Sequence, residues 1–126
     1  IMSQDRPPLL IIAGSADGER LRAALTLACA EAALGSAASV FLMLDAVALL
    51  APPISAPRDA AHAACGLPTL LALIDDALDL GVSLAVCQSG LALAGMQADA
   101  LDPRIIPSGP VAILAANPAE ARLLLA

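Results

Sequence analysis

Lysine is absent from this chain, as are tryptophan and tyrosine, and there is one phenylalanine, Phe41, and one histidine, His62. Without lysine there is no Schiff-base chemistry and no phosphate-gripping lysine of a P-loop. The interval from Gly90 to Gly95 has the glycine spacing of such a loop, but Met96 and Gln97 stand where the lysine and the hydroxyl belong. All six basic residues are arginine, and twelve acidic ones outnumber them for a net charge of -6. That balance excludes a surface built to track nucleic-acid phosphates. Three cysteines, Cys29, Cys65 and Cys87, show neither CxxC nor CxxH spacing, and a single histidine completes no metal-ligand set. Neither a metal nor a cofactor is expected. A serine hydrolase fails locally, because Ser89 lies in "CQSGL" and not in G-x-S-x-G, and the histidine precedes it, against the order of that site.

Charge is also missing from Leu80 to Ala98, between Asp79 and Asp99. With 60% hydrophobic residues and a mean hydropathy of +0.85, that window has to be weighed as a membrane span. It reads poorly as one. Cys87, Gln88 and Ser89 lie near its centre, where hydrocarbon penalises polar groups most, and no basic or aromatic anchors flank it. The opening "IMSQDRPP" is polar and short and does not read as a signal peptide. With an odd cysteine count and no disulfide spacing, a cytoplasmic protein with reduced thiols is expected. Much of the hydrophobic fraction is alanine, yet the remaining aliphatics exceed what one small core hides. A homo-oligomer is expected on that ground.

The length fits one domain over residues 1–126. Short apolar runs alternate with helical periodicity along it. "PLLIIAG" (8–14) reads as a strand buried on both faces, and Asp17 as the cap of a helix that Gly35 stops. "ASVFLML" (38–44) is a second strand, followed by a short helix "DAVALLA" ended by Pro52 and Pro53. Residues 52–68, rich in proline, read as a long surface loop or lid with at most one helical turn. A third helix spans 69–81, a third strand 82–86, and Cys87 is the first residue after it. "SGLALAGMQADAL" begins a helix, and "PRIIPSG" (103–109) is a short fourth strand. For the last stretch, periodicity leaves two orders open: "VAILAA" as a strand before a terminal helix, or a helix at 110–116 before a terminal strand "ARLLLA". The alternation predicts an α/β, three-layer sandwich, with a mostly parallel sheet of about five strands and helices on both faces.

In such sheets sites gather beyond the carboxyl ends of the strands. Cys87 is placed there, at a strand end that enters a helix, where free amides and the helix dipole favour the thiolate. Gln88, Ser89 and Gly90 supply amides beside it. Ser15 and Asp17 lie on the same edge as candidate pocket lining, although Asp17 is first a cap and Ser15 first a turn residue. His62 and Cys65 fall in the proline-rich segment, which is long enough to fold over that edge. His62 is then a candidate base or binder, and Cys65 a candidate second thiol, against plain readings as a solvated histidine and a loop-packing residue. Cys29 reads as structural, and Asp75, Asp76 and Asp79 as a solvated helix face.

The pattern "GSADGERLRAALTLACAEAALGSAASVFLMLDAVALL", then "GVSLAVCQSGLALAGM" and "IIPSG", resembles the DsrE/DsrF-like family of small sulfur-relay proteins. The resemblance covers nearly the whole chain, and the cysteine after the third strand is its most specific element. It implies a parallel α/β sheet, assembly as a trimer or hexamer, and a persulfide carried on Cys87 between donor and acceptor proteins. It also implies the helix-then-strand order at the C-terminal end. A non-catalytic oligomeric binding or scaffold domain is the second reading. Thiol peroxide or disulfide chemistry is a third, which needs Cys65 beside Cys87.

Overall fold

Apolar runs of five residues or fewer, each closed by a turn, build every strand of the sheet. The structure is a computed structural model that describes residues 6–126; most of "IMSQDRPP", and with it the reading of that segment, lies outside the described residues. The strands are β1 (Leu9–Ala13), β2 (Ala38–Leu42), β3 (Ser83–Cys87), β4 (Ile106–Ser108) and β5 (Arg122–Leu125). The helices are α1 (Gly18–Ala33), α2 (Asp59–Ala64), α3 (Leu70–Asp79), α4 (Gln88–Ala94) and α5 (Pro110–Ala116). The sheet runs β4-β3-β2-β1-β5, and every pairing is parallel. The expected α/β sandwich is the architecture found, with the C-terminal order helix, then strand.

Local chemistry explains most boundaries. The Asp17 carboxylate accepts from the N–H groups of Glu19 at 2.9 Å and Arg20 at 3.3 Å, so it caps α1. Thr69 caps α3 in the same way, through the N–H of Ala72. Gly35, Gly81 and Gly95 follow helix ends with positive φ of 85°, 87° and 66°. Three sequence expectations shift. "DAVALLA" forms a 3-10 segment, Leu44–Leu50; the helix after Cys87 ends at Ala94 because Gly95 is left-handed; and the proline-rich segment contains α2.

The order of the strands decides what covers each face. From β1 to β4 the chain steps one strand at a time in one direction, and right-handed crossovers then place their connecting segments on one face. From β4 to β5 it returns across the whole sheet, so its connection, α5, falls on the other. The packing agrees. Leu9, Ile11, Val40, Leu42, Leu84 and Val86 join the large core with Leu21, Leu25, Val47, Ile74 and Leu91. Leu10, Phe41, Ala85 and Cys87 form a small second cluster, joined by Ile12, Met43 and, from α5, Ile113.

A buried carboxylate ties the sheet edge to this frame. Glu31, near the end of α1, receives Arg6 at 2.7 and 2.9 Å and Arg122 of β5 at 2.8 Å. These guanidinium bonds hold its carboxyl down at about 2. No helix among the described residues is long and apolar enough to cross a membrane.

Candidate functional site

A crevice opens in a parallel sheet where neighbouring strands send their connections to opposite faces. Here that point lies between β3, which leads into α4 under the large core, and β4, which leads into α5 on the other side. The register pairs Cys87 with Ser108 at the carboxyl ends of these two strands. Cys87 is thus the last residue of β3 and not the first beyond it, and it also occupies the cap position of α4.

The alternation of β3 turns Leu84 and Val86 into the large core, and Ala85 and Cys87 toward the thinly covered face. Cys87 is 5% exposed. Its Sγ lies 3.5 Å from Ser89 Oγ. That hydroxyl is the main reason the thiol titrates below its ordinary value; burial opposes it, and the N–H groups of Gly90 and Ser89 add to it. Neither N–H closes a capping hydrogen bond to the sulfur, and no charged side chain contributes. The thiolate here is stabilised by neutral donors alone.

Gly90 sets how close α4 comes. A Cβ at this position would stand 2.5 Å from Val47 Cγ2 and 3.3 Å from the Leu44 carbonyl oxygen. Only glycine lets the first turn of α4 lie against the Leu44–Leu50 segment. Leu44 itself is exposed and has a φ of 53°, in the left-handed region that a leucine rarely adopts. Strained backbone and a close helix approach thus meet one turn from the cysteine.

A family profile, described as the DsrE/DsrF-like family, matches residues 9–124. The chain belongs to the DsrE/DsrF-like family. No curated protein matches it significantly in sequence. Among solved structures, it is similar to protein MTH1491 from Methanobacterium thermoautotrophicum, a protein of unknown function, at 14% identity and a TM-score of 0.69, covering 96% of this chain and 100% of that one. At that identity the likeness concerns the fold.

In this DsrE-like chain the other candidate residues are distributed over several places. Gln88, Ser89 and Gly90 form the first turn of α4 beside Cys87. Ser15 and Asp17 lie at the carboxyl end of β1; the Asp17 carboxylate is engaged as a cap, and Ser15 Oγ is buried without a hydrogen-bond partner among the described residues. His62 and Cys65 go elsewhere. His62 Nε2 lies 3.0 Å from both carboxylate oxygens of Glu19, Arg22 reaches Asp59 at 2.8 Å, and these bonds dock α2 on α1. That layer lies across the sheet from Cys87. Cys65, at the end of α2, is exposed. The proline-rich segment therefore does not fold over the cysteine, and disulfide chemistry between Cys65 and Cys87 has no geometric support. Cys29 is half-buried in α1, and burial, aided by Asp76, pushes its thiol up.

Ser108 is the residue that sequence reasoning missed. Its signal was present in "IIPSG", since a strand end entering a helix through Gly109 and Pro110 obeys the same rule that singled out Cys87. Ser108 also lines a cavity of about 310 Å³ beneath α5, with Ser39, Ser83, Phe41, Ala85 and Ile113. No charged residue lines it.

Proposed function

We propose that this protein is a cytoplasmic sulfur carrier that holds a persulfide on Cys87. One observation carries the reading: a thiol whose anionic form is favoured lies at the crevice where the sheet changes the direction of its connections. The Cys87 thiolate attacks the outer sulfur of a donor persulfide. A new S–S bond forms, the donor's S–S bond breaks, and the donor leaves as a thiolate. An acceptor thiolate then attacks the outer sulfur on Cys87 and regenerates the Cys87 thiolate. Both steps are redox-neutral, so neither needs a cofactor. Amides of residues 88–90 stabilise the anion, and burial of Cys87 shields the loaded sulfur from stray thiols.

The same reading includes self-association. On the α5 side of the sheet Val111 is 83% and Leu125 79% exposed, with Ile106, Leu114 and Leu123 also open. A stripe of this kind is what a second copy covers. Incubation of the full chain with a small persulfide donor, followed by intact mass measurement, tests the carrier. One added sulfur on the wild type and none on Cys87→Ser is the expected result; equal loading of the two would sink the proposal.

The uncharged cavity favours a second reading, a non-catalytic binding or scaffold domain that takes a small neutral ligand beneath α5. In that case Cys87 alkylates no faster than an ordinary free thiol.

A further inference from the structure

We propose that the Ser89 hydroxyl is the positioning residue that makes Cys87 a nucleophile, in the role that a histidine or arginine fills at other reactive cysteines. The inference rests on the carrier reading only for its biological meaning, since the property it concerns is the reactivity of the thiol itself.

Three observations converge. First, Ser89 Oγ is the only side-chain group hydrogen-bonded to the Cys87 sulfur among the described residues, and that sulfur is the only partner of this hydroxyl. Second, the six arginines are engaged elsewhere: Arg22 with Glu19 and Asp59, Arg104 with Asp79 and Asp102, Arg6 and Arg122 with Glu31, Arg20 with Asp17 and Arg58 with Glu19. The one histidine is bonded to Glu19. Third, Cys87 belongs to an apolar cluster with Leu10, Phe41 and Ala85, so apart from the N–H groups of Ser89 and Gly90 its surroundings favour the neutral thiol.

A hydroxyl suits this position because it rotates. While Cys87 is a thiol, either group can donate to the other. When the proton leaves to solvent, the Ser89 O–H turns and donates to the sulfur anion. In a persulfide the negative charge sits one bond further out, on the outer sulfur, and a rotor adjusts to that move where fixed amides do not. The hydroxyl of a threonine preserves this donor; an alanine removes it and leaves only the N–H groups of residues 89 and 90.

The test is the pH profile of iodoacetamide alkylation, read on the Cys87 peptide of the full-length protein by mass spectrometry so that Cys29 and Cys65 do not interfere. In each event the thiolate sulfur forms the new S–C bond and iodide leaves, so the rate follows the thiolate fraction. Ser89→Ala is expected to move the profile to higher pH and to slow alkylation about three- to tenfold at pH 7, with no loss of rate on the alkaline plateau. Ser89→Thr is expected to restore the wild-type profile. A merely structural Ser89 lowers the plateau without moving the midpoint, and that result overturns the proposal, as does an unchanged profile in Ser89→Ala. Persulfide loading of the wild type is scored separately. A shifted profile with no loading keeps Ser89 in its role and removes the carrier; loading with an unshifted profile does the reverse.

Discussion

The two faces of the sheet are covered very unequally. One is buried under α1, α3, α4 and the Leu44–Leu50 segment, and its core runs from Leu9 to Ile105. The other meets only α5, a seven-residue helix with no buried residue of its own. The difference separates stability from chemistry. Apolar burial, the main stabilising term, is concentrated on the first face, whereas the second holds the Cys87 thiol, the uncharged cavity and the exposed aliphatic stripe. A face that is left thin is free to admit a ligand, a donor or another copy.

That comparison is open to direct attack. The largest effect is expected from Leu25→Ala, which deletes a fully buried side chain of α1 and is predicted to destabilise by about 2–5 kcal/mol. Val111→Ala on α5 is its counterpart and is predicted to stay within about 0.5 kcal/mol. Urea unfolding of both checks the contrast, and equal losses would erase it.

Glu31→Gln is next. It leaves two partly exposed arginines without their carboxylate, and a loss of about 1–3 kcal/mol is expected. The pH dependence has a fixed sign. The folded carboxyl is held at about 2 against an ordinary 4.5, so the unfolded chain binds the proton more readily. The stabilisation is complete above about 4.5 and declines as pH falls toward about 2. Glu31→Gln should lack that component of acid unfolding, and a variant whose acid unfolding runs parallel to the wild type would refute the assignment.

The smallest effect on monomer stability, again within about 0.5 kcal/mol, is expected from Val111→Asp on the exposed stripe. Its readout is assembly. Sedimentation velocity should show the variant shifted to smaller species, and an unshifted distribution would locate the contact between copies elsewhere.

Much of the architecture was legible in the residues because parallel strands buried on both faces appear as short apolar runs, and each here ends at a turn. Asp17 and Gly35 mark the ends of α1 through chemistry local to them. Cys87 stood out because a strand end is visible in one dimension. What stayed hidden is non-local. Nothing in "VAILAA" says that α5 crosses back over the sheet, yet that crossing sets the crevice between Cys87 and Ser108. Nothing within "DAAHAA" announces Glu19, whose bond to His62 holds α2 on α1 and leaves Cys65 exposed, away from the site. The Arg6–Glu31–Arg122 cluster likewise joins three distant segments.

The placement of β5 also has a kinetic consequence. β1 meets β2 through a pairing of Leu9 with Ala38, but it meets β5 through a pairing of Leu9 with Arg122, almost the full length of the described chain away. Closing so long a loop is entropically slow, and contacts of this separation are expected to form late. Until they do, β1 is an open edge of the sheet, and Leu10 and Ile12 lack the strand that flanks them on that side. One edge of the sheet therefore stays open until the last stage of folding, after the larger core is already in place.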